Sequence, residues 1–312
     1  MGWGDELVAA GQAQRLFDAD PSTRIAIVGM DAQPRWHEIW LGNPIIASPA
    51  DVAKGEPVRS VMNGPNCRPY IVPPFTKETG WTFNQAFRCR DHIARIYLTH
   101  EERARGEVAY EKYGPYVLIE PFTKHVNFRW AHARWAELVA AHPDLVFVQH
   151  THKDSELVPG AHYERATFRE ACGLIASACA YVRSESGLCH AAAALGIAQV
   201  TLFGGCMDST VMGGYPGQEC LVDDDPASPC GAWLACEHCS AAMGRITVER
   251  VSDALSRALK KGAGSGTGVA RTSEGASADH GRRKRRRPEH EGRAGERDHR
   301  DLHEGSGRGR LE

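Results

Sequence analysis

The residues best suited to chemistry lie in one short segment, residues 183–190, which reads RSESGLCH. A strand is predicted to end just before this segment and a helix to begin near Gly187. The segment therefore lies at the carboxyl end of a parallel strand, where α/β sheets bind ligands. Ser186 can cap the helix, and the free N–H groups of the first helical turn can bind an anion. His190 follows Ser186 by four residues and faces the same side of that turn, while Glu185 is placed to accept hydrogen bonds from hydroxyl groups.

Anion recognition next to hydroxyl recognition suggests a sugar-nucleotide site. A capped helix with a hydrogen-bonded histidine would explain the same residues without a ligand, so this segment alone leaves both interpretations open. A second glycine-bearing loop, Gly2-Trp3-Gly4-Asp5, also runs into a helix. The helix dipole favours an ionised Asp5, which suits a carboxylate that must accept a proton. An ordinary helix start is the alternative for this loop.

A third candidate segment follows a predicted strand that ends at Ile119. It contains Thr123, Lys124 and Arg129. The two cations could both reach a diphosphate bound at the end of the strand. Taken singly, each of them could equally be a solvated surface charge.

Alternating strands and helices follow from the pattern of apolar residues between positions 113 and 261. Short apolar runs bounded by glycine or proline predict buried strands, and the intervening segments have apolar residues at helical spacing. The predicted strands are 116–119, 145–148, 179–182 and 200–203, and the predicted helices are 130–141, 168–176, 187–195 and 246–259. This alternation is typical of right-handed βαβ units on a parallel sheet. We therefore predict a Rossmann-like domain over residues 113–261.

Residues 1–112 are predicted to form a second α/β domain with a less regular pattern. A helix is expected over residues 5–17, a strand over 24–28 and a shorter strand over 44–46, whereas residues 47–80 are rich in proline, glycine and asparagine. No strand precedes the first glycine-bearing loop. We expect that the natural chain starts upstream or that this domain lacks a strand, and we favour the former because the sheet would otherwise have an unpaired edge.

Composition and charge limit the classes of function. Of the 312 residues, 42% are hydrophobic and 24% are charged, as in a globular protein with a sizeable core. Residues 262–312 hold 12 of the 37 basic and 9 of the 39 acidic residues, so 25 basic and 30 acidic residues remain, a net charge of about −5. That balance argues against specific nucleic-acid binding. Residues 262–312 are predicted to be a disordered basic and glycine-rich tail, and their basic run 282–287 is predicted to be solvated, with nucleic acid or anionic lipid as alternative partners.

No apolar run is long enough for a transmembrane segment, and no signal peptide is visible. We therefore expect a cytoplasmic protein, in solution or peripherally at the inner face of the membrane. Without an export signal, the ten cysteines are expected to be free thiols or metal ligands. Four of them precede the final helix and could hold a structural Zn or Fe ion, with free thiols as the alternative: Cys220, Cys230, Cys236 and Cys239. Five others are predicted to be small core residues: Cys67, Cys89, Cys172, Cys179 and Cys206.

Together these segments resemble glycosyltransferase family 9, whose known members include the ADP-heptose:lipopolysaccharide heptosyltransferases. The resemblance extends over residues 2–259. The G-x-G-D loop of the family is matched by residues 2–5, and its D-[ST]-G-x-x-H signature is matched by residues 185–190, with Glu185 in place of the usual Asp. The K-x-W motif is matched in part by residues 128–130, where Phe stands at a position that is commonly basic.

The resemblance implies a GT-B fold, in which two Rossmann-like domains face each other across a cleft. It also implies a metal-independent, inverting transfer of a heptose or related sugar, in which Asp5 takes the proton from an acceptor hydroxyl. Glu185 would hold hydroxyls of the donor sugar, and the departing nucleoside diphosphate would be bound by Thr123, Lys124, Arg129, Ser186, Gly187 and His190.

The resemblance favours an ADP-sugar as donor and a glycan, a lipid-linked lipopolysaccharide core or a protein as acceptor. It implies no cofactor for catalysis. Some protein-modifying heptosyltransferases of the family carry a cysteine-rich iron site in the corresponding region. A catalytically degenerate protein that binds sugar nucleotides is the alternative function. A nicotinamide-dependent oxidoreductase is disfavoured because no G-x-G-x-x-G motif follows a predicted strand.

Overall fold

A computed structural model describes residues 1–151 and 155–264 of the chain. Most of the predicted disordered tail, including the basic run 282–287, lies outside the described residues. The described residues belong to one compact unit. They form an α/β structure with two parallel sheets, which confirms the predicted fold class.

The N-terminal sheet has three parallel strands in the order β2-β1-β3. The elements of this half are α1 Trp3–Ala19, β1 Arg24–Val28, β2 Ile46–Ala47, α2 Pro49–Ala53, β3 Val58–Met62 and α3 His100–Tyr113. The helix and strands expected near residues 5–17, 24–28 and 44–46 are therefore present. β3 lies in the region that the sequence analysis treated as irregular, and it pairs with β1 along its whole length.

The C-terminal sheet has six parallel strands in the order β6-β5-β4-β7-β8-β9. Its strands are β4 Tyr116–Glu120, β5 Val146–Thr151, β6 His162–Arg165, β7 Ala180–Ser184, β8 Gln199–Gly204 and β9 Gln218–Val222. Its helices are α4 His132–Ala140, α5 Phe168–Ser177, α6 Gly187–Ala194, α7 Ser209–Met212, α8 Glu237–Arg245 and α9 Val248–Gly264. Every strand and helix predicted over residues 113–261 is present, whereas β6 and β9 were not predicted.

Helices α3 and α5 begin with the same threonine–glutamate cap. The Thr99 side chain accepts a hydrogen bond from the Glu102 N–H, and the Glu102 carboxylate accepts one from the Thr99 N–H. Thr167 and Glu170 repeat this pattern at the start of α5. Reciprocal caps of this kind satisfy N–H groups that a helix start leaves without partners, so they fix where α3 and α5 begin.

Helix α3 packs closely on α5 through a pair of glycines. A Cβ atom on Gly106 would lie 2.2 Å from the Gly173 carbonyl oxygen, and one on Gly173 would lie 1.9 Å from the Glu102 carbonyl oxygen. No other residue could occupy either position without moving a backbone. Helix α3, which the predicted boundary at residue 112 assigns to the first half, therefore rests directly on the second half.

The two halves also share an apolar core. One buried cluster combines Leu7 and Ala13 of α1 with Leu188 and Ala192 of α6, and it includes Ile25 of β1. A second cluster fills the other face of the six-stranded sheet beneath α4 and α9. Within residues 1–151 and 155–264 no helix is long and apolar enough to cross a membrane.

Candidate active site

The two glycine-bearing helix starts singled out in the sequence meet in the structure. A Cβ atom on Gly4 would lie 3.2 Å from His190 Cδ2 and 3.3 Å from Gly187 Cα. A Cβ atom on Gly187 would lie 2.9 Å from the Gly4 backbone nitrogen. A side chain on Gly187 would therefore push α1 away from α6, whereas one on Gly4 would need its neighbours to move by a few tenths of an ångström.

Asp5 lies in the first turn of α1, and both its carboxylate oxygens have partners. The Gly2 N–H donates to Asp5 Oδ2 at 2.8 Å, which closes the helix start. The Tyr70 hydroxyl donates to Oδ1, and Arg68 Nε lies 3.2 Å from the same oxygen. Only 8% of the Asp5 side chain is exposed.

Tyr70 and Arg68 are functional candidates that the sequence analysis did not identify. They lie in the long connection between β3 and α3, which has no strand or helix pattern that would predict where its side chains point. Their position beside Asp5 follows only from tertiary packing.

Glu185 and His190 form the buried side of the same contact. Burial raises the pKa of Glu185 to about 7, with Arg183 opposing the shift and Asp5 adding to it. Burial lowers the pKa of His190 to about 4, so its imidazole is neutral at physiological pH. His190 Nδ1 is hydrogen-bonded to the Tyr215 hydroxyl at 2.6 Å, and His190 Nε2 lies 3.8 Å from Glu185 Oε1.

Ser186 caps α6 as predicted, since its hydroxyl oxygen accepts a hydrogen bond from the Leu188 N–H at 3.2 Å. The structure therefore brings Asp5 next to the segment that contains Glu185, Gly187 and His190. A carboxylate, a neutral imidazole and a helix N-terminus lie together there, and this combination can accept a proton and bind an anion.

The third predicted segment lines a cleft of about 440 Å³ at the end of β4. Thr123 and Arg129 are among its lining residues, and Arg129 Nε donates to the Thr123 carbonyl oxygen at 3.4 Å. Lys124 is exposed and is not part of the lining. Because β4 and β7 are paired neighbours, this cleft and the Glu185–His190 segment lie at the same edge of the sheet.

A buried polar network connects the ends of three neighbouring strands at that edge. Glu120 of β4 accepts a hydrogen bond from His150 of β5 at 2.6 Å and lies 3.8 Å from Arg183 of β7. Burial opposes a charged His150, but the hydrogen bond to Glu120, the negative charge of Glu120 and the hydrogen bond to the Ala166 carbonyl oxygen together outweigh it and raise the pKa of the imidazole. The network fixes the strand ends from which both loops of the candidate site begin.

Three of the four predicted metal-binding cysteines lie together in the loop and helix start that we call the thiol segment, Cys230–Cys239. Cys236 is the N-cap of α8, so that Cys239 lies one turn further on the same helix face. The ligand atoms of Cys230, Cys236, His238 and Cys239 all lie within 4.8 Å of one another. Three sulfurs and one imidazole are a donor set that suits a tetrahedral Zn or Fe ion.

Cys220 does not belong to this group, which corrects the prediction. It lies in the middle of β9, opposite Thr201 of β8, and it is not among the described residues whose ligand atoms lie within 4.8 Å of one another. His238 and Cys206 are closer candidates for a fourth ligand. Cys206 was predicted to be a small core residue and is buried, but its thiol is a hydrogen-bonding neighbour of Cys239. The Cys230 and Cys239 sulfurs are 3.1 Å apart, which is too long for a disulfide.

Comparisons with known proteins agree with this architecture. The sequence model of glycosyltransferase family 9 (heptosyltransferase) matches residues 91–231. No curated protein sequence is significantly similar to the chain. A glycosyl transferase family 9 structure from Veillonella parvula has 13% identity and a TM-score of 0.59, over 84% of this chain and 95% of the other.

Two further solved structures share the fold. An E. coli ADP-heptose lipopolysaccharide heptosyltransferase II has 15% identity and a TM-score of 0.55, over 83% of this chain and 96% of the other. The iron-containing dodecameric glycosyltransferase TibC of enterotoxigenic E. coli has 14% identity and a TM-score of 0.55, over 83% of this chain and 74% of the other. The chain thus has the GT-B fold, and its residues 91–231 are similar to glycosyltransferase family 9 (heptosyltransferase).

Proposed function

We propose that this protein is an inverting glycosyltransferase that takes a sugar from a nucleoside-diphosphate donor and uses Asp5 as its catalytic base. The observation that carries the proposal is the contact between the start of α1 and the start of α6. That contact puts Asp5, one of the two acidic residues in the first turn of α1, next to the N-terminus of α6, which could bind an anion. Glu6, the next carboxylate, is turned away and pairs with Arg35.

The proposed step is a single displacement at the anomeric carbon. The acceptor oxygen forms a bond to that carbon while Asp5 Oδ takes its proton, and the bond from the carbon to the diphosphate oxygen breaks. The electron pair leaves with the diphosphate. Arg129, Lys124 and the N–H groups at the start of α6 would stabilise the negative charge that develops there. Glu185, protonated in part near pH 7, would hold a hydroxyl of the donor sugar.

We propose an ADP-sugar of the heptose type as donor. The support comes from relatives of the same fold: the E. coli enzyme is an ADP-heptose transferase, and TibC has been solved with ADP-D-β-D-heptose. A glycan, a lipopolysaccharide core and a protein are the candidate acceptors. A cytoplasmic location and catalysis without a metal ion stay predictions.

Substitution of Asp5 tests the proposal. We expect Asp5→Asn to lower transfer and donor hydrolysis by about a thousandfold while donor affinity changes little, because the amide cannot accept the proton. Asp253→Asn, an exposed carboxylate of α9, is the matched control and should behave as the unchanged protein. Full activity in Asp5→Asn would refute the assigned role.

A second candidate function is a sugar-nucleotide-binding protein without turnover. It is favoured by the environment of Asp5, whose two oxygens already accept hydrogen bonds from Gly2 and Tyr70. Calorimetric titration with ADP-sugars, combined with assays of donor hydrolysis, separates the two functions. Binding without hydrolysis or transfer for any donor would favour the binding protein.

We also propose that the thiol segment holds one structural Zn or Fe ion. Cys230, Cys236 and Cys239 would be ligands, with His238 or Cys206 as the fourth. When bound, the ion would link the loop after β9 to α8, and it would take no part in the transfer. Elemental analysis should find about one equivalent of metal, lost in Cys236→Ser and retained in Cys179→Ser, since Cys179 lies outside the group. Less than about 0.1 equivalent in the unchanged protein would exclude the site.

A further inference from the structure

The two ring nitrogens of His190 have different neighbours. Nδ1 is hydrogen-bonded to the Tyr215 hydroxyl at 2.6 Å, and the two rings meet edge to face. Nε2 lies 3.8 Å from Glu185 Oε1, and the adjacent Cδ2 faces Gly4 at the start of α1. Nε2 is therefore on the side of the candidate active site, and Nδ1 is on the opposite side.

The backbone of Tyr215 is fixed by a tight turn before β9. The Gln218 N–H donates to the Tyr215 carbonyl oxygen at 3.0 Å, across Pro216 and Gly217. Gly217 has a φ of +77°, which a type II turn requires at this position, and proline is common at the position before it. The Gln218 side chain accepts a hydrogen bond from the Tyr215 N–H at 3.1 Å and donates one to Thr201 of β8 at 2.9 Å. The turn is thereby tied to the six-stranded sheet.

The Tyr215 hydroxyl has a second hydrogen-bonding neighbour, the thiol of Cys89, and both residues are buried. Burial raises the pKa of Cys89 to about 12, so its sulfur is a neutral thiol. The sulfur of a thiol is a weak acceptor, whereas the bare nitrogen of a neutral imidazole is an ordinary one. The single hydroxyl hydrogen of Tyr215 is therefore donated to His190 Nδ1.

This hydrogen bond decides where the proton of the His190 ring lies. Burial lowers the pKa of His190 to about 4, so the neutral ring carries one proton at physiological pH. When Nδ1 accepts a hydrogen bond, that proton is on Nε2. The distance of 3.8 Å from Nε2 to Glu185 is too long for a hydrogen bond. Glu185 therefore leaves the N–H of Nε2 to a ligand.

We propose that Tyr215 is a positioning residue, which keeps the proton of His190 on Nε2 and so provides the candidate active site with a neutral hydrogen-bond donor for the diphosphate. An N–H group directed at a diphosphate oxygen makes a charge-assisted hydrogen bond. The lone pair of the opposite tautomer would repel the same oxygen. The contribution to diphosphate binding rests on the proposed function, whereas the position of the proton does not.

Proton–nitrogen correlation spectra of the full chain, with isotopically labelled histidine, test the position of the proton directly. The protonated nitrogen of a neutral imidazole resonates far upfield of the bare nitrogen, and the carbon-bound ring hydrogens distinguish Nδ1 from Nε2. The signals of His190 are those that disappear in His190→Gln. We expect the proton of the unchanged protein on Nε2. A proton on Nδ1 would overturn the proposal without the need for any Tyr215 variant.

Tyr215→Phe removes the hydroxyl and keeps the ring. The Nδ1 signal of His190 should move downfield, because this nitrogen loses its hydrogen bond. In calorimetric titrations ADP should bind about fivefold more weakly, which corresponds to about one hydrogen bond.

Tyr116→Phe is the matched control. Tyr116 lies at the amino end of β4, is equally buried, and donates its hydroxyl to the Leu174 carbonyl oxygen, also at 2.6 Å. Loss of this hydroxyl should lower stability about as much as Tyr215→Phe does. It should leave the His190 signals and the affinity for ADP unchanged.

Two results with these variants would overturn the proposal. They are an unchanged Nδ1 signal or an unchanged affinity for ADP in Tyr215→Phe, and equal effects of Tyr215→Phe and Tyr116→Phe on His190. Failure of the unchanged protein to bind ADP would instead contradict the proposed function. The spectra would in that case still show whether Tyr215 determines the position of the His190 proton.

Discussion

The C-terminal half of this protein is a regular six-stranded sheet, whereas the N-terminal half has only three strands, one of them two residues long. In the larger half, each site residue follows the end of a strand that is paired on both sides. In the smaller half, Asp5 depends on the start of one helix and on side chains from an irregular connection. Half of the candidate site is therefore fixed by the sheet, and the other half by contacts between elements.

The irregular connection between β3 and α3 is itself supported by the other half. Its Trp81 N–H donates to the Gly231 carbonyl oxygen of the thiol segment at 2.7 Å. Gly231 has a φ of +67°, and a Cβ atom there would lie 2.0 Å from the Trp81 carbonyl oxygen. Arg68 and Tyr70 of the same connection hold Asp5. The smaller half thus keeps Asp5 in place through contacts that its irregular connection makes with the larger half.

A substitution that forces the two halves apart should have the largest effect on stability and on transfer activity. Gly187→Val places a Cβ atom 2.9 Å from the Gly4 nitrogen, so α1 must move away from α6. We expect a loss of about 3 kcal/mol in the free energy of unfolding, at the upper end for overpacking. Urea denaturation followed by circular dichroism measures the loss, and transfer activity should fall with it.

Gly244→Val is the matched control for this substitution. Gly244 lies in α8, and no heavy atom is within 4 Å of the position that its Cβ would occupy. Valine in place of glycine should change stability there by less than about 1 kcal/mol. Equal losses in the two variants would mean that the contact between the helix starts does not hold the halves together.

The second prediction concerns the buried carboxyl on the C-terminal side. The pKa of Glu185 is raised from 4.5 to about 7, so its contribution to stability is complete below pH 4.5 and is lost as the pH rises through 7. Glu185→Gln cannot titrate. The stability of this variant relative to the unchanged protein should therefore rise by roughly 2 to 3 kcal/mol between pH 5 and pH 8.

Urea denaturation of both proteins at the two pH values gives this difference. His190, whose pKa is lowered, is present in both proteins, so its own titration largely cancels. A difference in unfolding free energy that does not change with pH would show that the pKa of Glu185 is not raised. The surroundings of Glu185 would then be more polar than the structure indicates.

The contrast between regular and irregular elements also explains which parts of the fold could be predicted from the sequence. Strands such as Tyr116–Glu120 and Gln199–Gly204 are buried on both faces and read as continuous apolar runs, which predict a parallel sheet. β3 has a mostly half-exposed pattern and follows a glycine and a proline, so it carries no such signal. β6 likewise has three exposed residues out of four, and it was missed for the same reason.

The candidate site divides in the same way. Asp5, Glu185, Ser186 and His190 could be identified because each stands at a fixed distance from a glycine at a helix start. Tyr70 could not, because its role comes from a contact with a residue 65 positions away. For the cysteines, spacing grouped the C-x-x-C pair with Cys230, as the structure does, but it also added Cys220, which the structure leaves out of that group.

The third prediction concerns a substitution that weakens the contact between Asp5 and the irregular connection. Tyr70→Phe removes the hydroxyl that donates to Asp5 and leaves the ring in place. We expect a loss of about 1.5 kcal/mol in stability, as for a hydrogen bond to a charged group, and a transfer rate reduced by about tenfold. Tyr163→Phe, at a tyrosine that is 60% exposed, is the control. If Tyr70→Phe were as active and stable as that control, the Tyr70 hydroxyl would not be needed to position Asp5.

The substitution with the smallest expected effect on stability is at the start of α6, in the C-terminal half. Ser186→Ala removes the oxygen that accepts a hydrogen bond from the Leu188 N–H and should cost about 1 kcal/mol of stability. Ser240→Ala, within α8, has no cap to lose and should be neutral or slightly stabilising. Because the strand before Ser186 is fixed by the sheet, we expect α6 to keep its place and the loss to stay local. A loss as large as that of Gly187→Val would mean that the C-terminal half depends on its helix caps as much as the N-terminal half depends on its contacts.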